Sequence, residues 1–309
     1  MKYLSTERRW SRRRFLQVSA AAVGGVVLRP GLAWAQSRIS TTDLGGATLL
    51  QGAGCNVVAL PGPDGALMID GGLAANADAL LAAVKAAMRT TRINTLIDTH
   101  WHPEQVGANE AVGRAGAVIF AHEKTKAALS HTVYNSVVFK GRRPSLPEPA
   151  WPTKTVRGDG SMEFAGMKVD YGYMPAAHSD SDIYIHFPSM NLLVAGGVVS
   201  AEEWPLLDYR NGAWLGGRVR AVEHLADIVK PDTRVVPANG RVMTGREIVR
   251  QRDIYQKLFV TMIGYLNMGL GPEDAVTRNP LKEYQPEFGD PAAFTYGALK
   301  SMMIAYVPD

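Results

Sequence analysis

The chain has 309 residues, 46% of them hydrophobic and 20% charged, enough for one large domain or two small ones. Its formal charge is +4, but the first 35 residues hold seven of the Lys and Arg and a single acid, which leaves 26 basic and 28 acidic residues in the rest. A body so balanced excludes a nucleic-acid binder that works through a basic face. A single cysteine, Cys55, excludes an internal disulfide.

Near the N-terminus, Ser11-Arg12-Arg13-Arg14-Phe15-Leu16 fits the twin-arginine export pattern. A weakly apolar stretch, Val18 to Leu28, follows, and then Ala33-Trp34-Ala35, a small-x-small cleavage site. Crossing a membrane takes about 18 unbroken apolar residues, and this run is shorter. The expectation is a signal peptide over 1–35 that is delivered to the twin-arginine export machinery and cleaved, with no stable membrane anchor. The remaining domain, 38–309, is then periplasmic or secreted.

Gly52 to Leu60 and Ala66 to Asp70 predict two strands joined through Pro61-Gly62-Pro63-Asp64-Gly65, a hairpin. Cys55 falls in the first of them as a small buried hydrophobe. Between Asn76 and Met88, Leu80, Leu81, Val84 and Met88 recur at helical spacing, which predicts an amphipathic helix covering the sheet. Ile93 to Ile97 is an apolar run that predicts a buried strand and empties into His100 and His102. In extended chain an i, i+2 spacing points both imidazoles to one side, as two ligands of one metal require. A short helix from about Val106 and a strand from Ala117 to Ala121 complete a β-α-β unit. His122, closing that strand, is expected as a capped surface residue.

His131 to Pro152 shows no periodicity and predicts a functional or mobile loop. Its aromatics, Tyr134, Phe139 and Trp151, either line a pocket or pin the loop down. Phe164 and Met167 to Tyr173 form a second expected hairpin, turning at Ala165-Gly166. Ile183, Ile185 and Phe187 alternate with Tyr184 and His186, a strand that turns His186 away from the core. Further strands are expected at Asn191 to Ala195 and Arg234 to Val236. A loop spans Trp204 to Gly217. A helix from Arg218 to Lys230 follows, with Val219, Val222, Leu225, Ala226 and Val229 on one stripe and His224 facing solvent. A long helix from Gly245 to about Leu266 and a helical tail, Ala298 to Tyr306, end the chain.

Five landmarks carry a family resemblance. Thr99-His100-Trp101-His102-Pro103-Glu104-Gln105-Val106-Gly107-Ala108-Asn109 resembles the metallo-β-lactamase superfamily signature T-H-x-H-x-D-H-x-G-G-N, with Glu104 for its Asp and Gln105 for its third His. Asp70-Gly71-Gly72 resembles the family's early Asp-Gly loop. Pro175 to Asp182 resembles its Pro-Gly-His-Thr-x-Gly-Asp, with His178 as the third ligand. Gly196-Gly197 stands where the family has Gly-Asp, whose carboxylate bridges two metals. Pro237-Ala238-Asn239-Gly240 stands where it has Pro-Gly-His-Gly. The resemblance covers roughly Gly52 to Arg252.

It implies an α/β (α+β) fold, an αββα sandwich of two mixed β-sheets packed face to face with helices outside. It implies zinc, one per chain, on His100, His102 and His178, because Gln105, Asn239 and Gly197 no longer offer good donors for a second ion. Asp70 and Asp182 are expected behind the ligands. The implied activity is hydrolysis of a small-molecule substrate through an ester, thioester, lactone or lactam-type bond. Glu104 then accepts a proton, and Asn239 and Gln105 donate to a developing oxyanion. A non-catalytic relative, acting as a ligand-binding or scaffold protein, stays open beside it: four replaced positions favour that reading, and three retained histidines oppose it.

Overall fold

Alternation along the strands sorts the side chains into three apolar layers. The computed structural model describes residues 39–306, so the expected signal peptide lies outside the described residues. The first half forms β1 (Ser40–Asp43), β2 (Thr48–Gln51), β3 (Val57–Leu60), β4 (Ala66–Ile69), α1 (Ala77–Met88), β5 (Ile93–Ile97), α2 (Asn109–Arg114), β6 (Val118–His122) and α3 (Glu123–Ser130). A small hairpin, β7 (Val133–Tyr134) and β8 (Arg142–Arg143), precedes β9 (Lys154–Val156). The second half forms β10 (Gly160–Phe164), β11 (Met167–Tyr173), β12 (Ile183–Phe187), β13 (Leu192–Gly196), α4 (Leu215–Ile228), β14 (Arg234–Pro237) and β15 (Met243–Thr244). Four helices close the chain: α5 (Gly245–Asn267), α6 (Pro272–Arg278), α7 (Gln285–Phe288) and α8 (Ala292–Tyr306).

One sheet has seven strands in the order β1-β2-β3-β4-β5-β6-β9, and the other six, β10-β11-β12-β13-β14-β15. Both are mixed: β4, β5, β6 and β9 pair in parallel, as do β13 and β14, while the other neighbours are antiparallel. Leu49, Val58, Leu67 and Ile97 of the first sheet meet Val169, Ile185, Val194 and Val236 of the second in one buried layer. Their alternates, Leu50, Val57, Met68 and Leu96, face Leu80, Leu81 and Val84 of α1. On the far side Leu193 and Val235 face Val222 and Leu225 of α4, Ile248 and Leu258 of α5, and Leu299 of α8. Period-2 strands and period-3.6 helices give the αββα sandwich.

Several element boundaries differ from expectation for identifiable reasons. The first expected strand starts at Val57, because Gly52 (φ 100°) and Gly54 (φ 115°) adopt left-handed backbone that ends regular pairing. Helix α4 begins at Leu215, where Gly217 lets the turn approach the Ala176 carbonyl so closely that a Cβ would lie 2.1 Å from it. His122 is buried, not at the surface: its ring stacks on Tyr173 with centroids 3.9 Å apart and caps α3 by accepting from the Lys124 N–H. His224 is half-buried and shares a hydrogen bond with the Tyr184 hydroxyl.

Candidate metal centre

The carboxyl ends of parallel strands deliver the first ligands. Chain leaving β4 places Asp70 beside Thr99, just past β5. The buried Asp70 carboxylate accepts from the Thr99 N–H at 2.8 Å and its Oγ1 at 2.9 Å, and that hydroxyl lies 3.1 Å from His100 Nδ1. With the hydroxyl proton directed at Asp70, its oxygen accepts from Nδ1–H and leaves His100 Nε2 bearing a lone pair. That Nε2 is buried and has no partner among the described residues.

His178 comes from the loop between β11 and β12. Asp182 shapes this loop by accepting from the backbone N–H groups of His178 and Ser179, each at 2.7 Å. His178 Nδ1 donates to the Leu206 carbonyl at 2.8 Å, which frees its Nε2. His102 takes the opposite tautomer. Its Nε2 lies 3.1 Å from Asp208 Oδ2, so the lone pair sits on Nδ1.

These three nitrogens converge. Ligand atoms of His100, His102 and His178 all lie within 4.8 Å of one another, and His102 Nδ1 is 3.1 Å from His178 Nε2. Two nitrogens bound tetrahedrally to one zinc are separated by about 3.3 Å. The rings stand nearly edge-on to one another, with interplanar angles of 73–83°. In these neutral tautomers the lone pairs of His102 Nδ1 and His178 Nε2 face one another and repel, and a shared cation relieves the repulsion. The donor set therefore fits a metal ion.

Electrostatics agree with neutral ligands at two of the three positions. Burial, and then the neighbouring histidines, depress the pKa of His100 well below the usual imidazole value. Burial, His102 and the Arg218 guanidinium do the same to His178. For His102 burial also opposes charge, yet the Asp208 hydrogen bond and the nearby Glu104 raise its pKa. Asp208 is the reciprocal case: burial disfavours its charge, but donors from His102, Ser136 and Val137 pull its pKa below the ordinary range. Burial raises Asp70 to about 7 against the opposing Thr99 bonds.

The other expected site residues divide. Glu104 Oε1 lies 4.0 Å from His102 Nδ1, and its side chain is partly exposed. Gln105 is fully buried, and neither of its amide atoms has a partner among the described residues. Gly197 lies against the His178 ring, where an added Cβ would sit 2.4 Å from Cδ2 and 2.5 Å from Nε2. Asn239 is exposed beyond the end of β14, and no side-chain hydrogen bond among the described residues ties it to the histidines. Phe139 and Trp151 pack with buried Trp101, whose ring meets His102 edge-on, so they pin the loop; Tyr134 is exposed.

Three residues escaped the sequence reading. Asp208 and Ser136 are a loop acid and a loop hydroxyl with no pattern around them. Arg218 carried a signal: it sits one helical turn before Val222, on the buried stripe of α4. It is fully buried and donates to the carbonyls of Ala177 at 3.1 Å, Val198 at 2.7 Å and Leu206, stitching together the loops that carry His178, Gly197 and Asp208.

A family model described as the metallo-beta-lactamase superfamily matches residues 50–241. Among solved structures, a metallo-beta-lactamase from Pontibacter korlensis is similar at 21% identity and a TM-score of 0.53, over 71% of this chain and 93% of that one. DIM-1 metallo-beta-lactamase is similar at 14% identity and a TM-score of 0.55, over 71% of this chain and 96% of that one. A double mutant of the sec-alkyl sulfatase PisA1 is similar at 14% identity and a TM-score of 0.62, over 85% of this chain and 49% of that one. At these identities the likeness is one of fold. No curated protein matches the chain.

Proposed function

The chain belongs to the metallo-beta-lactamase superfamily, and from that premise we propose that it is a single-zinc hydrolase of a small molecule with an ester, thioester, lactone or lactam-type bond. We further propose that it is exported by the twin-arginine route to the periplasm or beyond, on the strength of Arg12-Arg13, the apolar stretch and Ala35. The observation that carries the reading is the convergence of His100 Nε2, His102 Nδ1 and His178 Nε2, each ring held by a partner on its other nitrogen.

Those three atoms would hold the ion. When bound, it supplies Lewis acidity that polarises a carbonyl and makes water acidic near neutral pH. Glu104 would take a proton from water entering beside the histidines, a role supported by its 4.0 Å distance from His102 Nδ1 and its partly exposed side chain. Asn239, which stands at the family's last histidine position, would supply a neutral amide to an oxyanion. One ion rather than two is supported by Gly197, which has no side chain and no room for one, and by the weak donor character of the Gln105 and Asn239 amides.

Elemental analysis of the protein purified from its export compartment tests the reading. It should find zinc near one per chain, and none after His178→Ala, because two ligands seldom hold zinc against water. Two metals per chain, or none under zinc-replete conditions, would overturn it.

A further inference from the structure

Asp208 does more than orient one imidazole. It is fully buried, and its carboxylate gathers donors from three directions. Oδ2 accepts from His102 Nε2 at 3.1 Å, Ser136 Oγ at 2.7 Å and Asn211 Nδ2 at 2.9 Å, and Oδ1 accepts from the Val137 N–H at 3.2 Å. Its own backbone N–H donates to the His178 carbonyl at 2.9 Å. One residue thus touches two of the three candidate ligands and the segment 131–147 that carries the β7–β8 hairpin.

The segment's other ties near the centre run to Asn211 and to Trp101, over whose ring the Arg143 guanidinium lies at 5.1 Å. Asn211 Nδ2 also reaches the Asn135 carbonyl at 3.1 Å, and Phe139 packs edge-on to Trp101 with centroids 6.3 Å apart. Ser136 also accepts from the Val138 N–H at 3.1 Å, so its hydroxyl fixes the local turn while its proton goes to Asp208. A carboxylate that accepts from both a ring N–H and a loop N–H holds each group more firmly when the other is fixed.

We propose that Asp208 is a positioning residue that couples metal occupancy of the histidine centre to the order of segment 131–147. Metal bound at His102 Nδ1 keeps the Nε2–H aimed at Oδ2, and the carboxylate then stands in one orientation for Ser136 and Val137. Linkage makes the effect reciprocal: whatever loosens the segment weakens metal binding by the same factor. The proposal rests on the single-metal reading, and its test separates the two.

Zinc affinity is measured by chelator competition, and amide exchange at Val137 is followed with and without zinc. In the wild type, zinc should slow exchange at Val137 several-fold. Asp208→Asn should weaken zinc by about 10–100-fold, as for other residues that orient a ligand from behind, and should abolish the zinc-dependent protection. Ser136→Ala touches no ligand, yet it should weaken zinc about 5-fold or more if coupling is of ordinary size. A purely structural loop anchor predicts unchanged zinc affinity in Ser136→Ala. That result, or exchange at Val137 indifferent to zinc in a wild type that binds it, would overturn the coupling and leave the metal reading standing. A wild type that binds no zinc would overturn both.

Discussion

Gly197→Ala isolates what the packing of one glycine does for the centre. The added Cβ would meet the His178 ring at 2.4 Å from Cδ2, 2.5 Å from Nε2 and 2.6 Å from Cγ. Carbon atoms at rest lie about 3.5 Å apart or more, so the ring must retreat by roughly 1 Å. Metal–nitrogen bonds tolerate only about 0.2 Å, so such a retreat takes His178 Nε2 out of bonding range. Zinc affinity should fall on the order of 100-fold or more, beyond the usual loss from disturbing a ligand's support. Overpacking should cost about 1–3 kcal/mol, offset in part by about 0.4–1 kcal/mol from the stiffer unfolded chain. At about 2–4 °C per kcal/mol, the metal-free melting temperature drops by several degrees. Chelator competition and paired melts with and without zinc measure both terms. Wild-type zinc affinity in the alanine variant would refute the steric argument. A Gly197→Asp variant that took up two zinc ions per chain would show that the position can still hold the family's bridge.

If the protein is a hydrolase, Glu104→Gln should keep fold and zinc while turnover falls on the order of 100-fold or more, whereas equal activity in wild type, Gln and Asp variants would remove Glu104 from the reaction and favour a ligand-binding role. Glu104→Asp restores the family's own residue: higher activity or a second metal marks a degraded site, and lower activity marks an adapted one. Replacing Arg12 and Arg13 together by Lys should leave precursor in the cytoplasm, and efficient export of that variant would sink the twin-arginine reading. For pH, burial holds His100 and His178 neutral in the metal-free protein, while the Asp208 hydrogen bond and nearby Glu104 favour a second proton on His102, at Nδ1, so below the raised His102 pKa zinc must displace one proton, not three. Affinity should then rise about tenfold per pH unit below the raised His102 pKa and level off above it, and calorimetry in buffers of different ionisation enthalpy would contradict this by finding release near three protons.

Local pattern carried the fold as far as pattern exists. Helix α5 was legible from Gly245 because Ile248, Tyr255, Leu258 and Met262 form a stripe and Thr244 with Glu247 makes a capping box. Strand β1 was missed because all four of its residues are exposed, so it has no buried face to alternate. Strand β15 has two residues, too few for a period. In the site, His100 and His102 were legible because their i, i+2 spacing is a property of three consecutive residues. Ser136 and Asp208 stand 72 and 106 positions from their partners, Asp208 and His102, and nothing near either residue encodes those contacts.

The replaced second site and the retained first site are parts of one packing arrangement. At 197, where the family signature it resembles has an Asp, a Cβ would lie 2.4 Å from the His178 ring, so the ring keeps its position only beside a glycine. His178 in turn is drawn to that position by the Leu206 carbonyl, which Arg218 fixes together with the Ala177 and Val198 carbonyls on either side of the same loops. Loss of the bridging acid by drift would leave a void beside the ligand. What the chain has instead is a ring packed against Gly197 and bonded to a carbonyl that a fully buried arginine, costly to desolvate, holds in place. An arrangement that bears that cost to hold one imidazole argues for a centre maintained around three histidines.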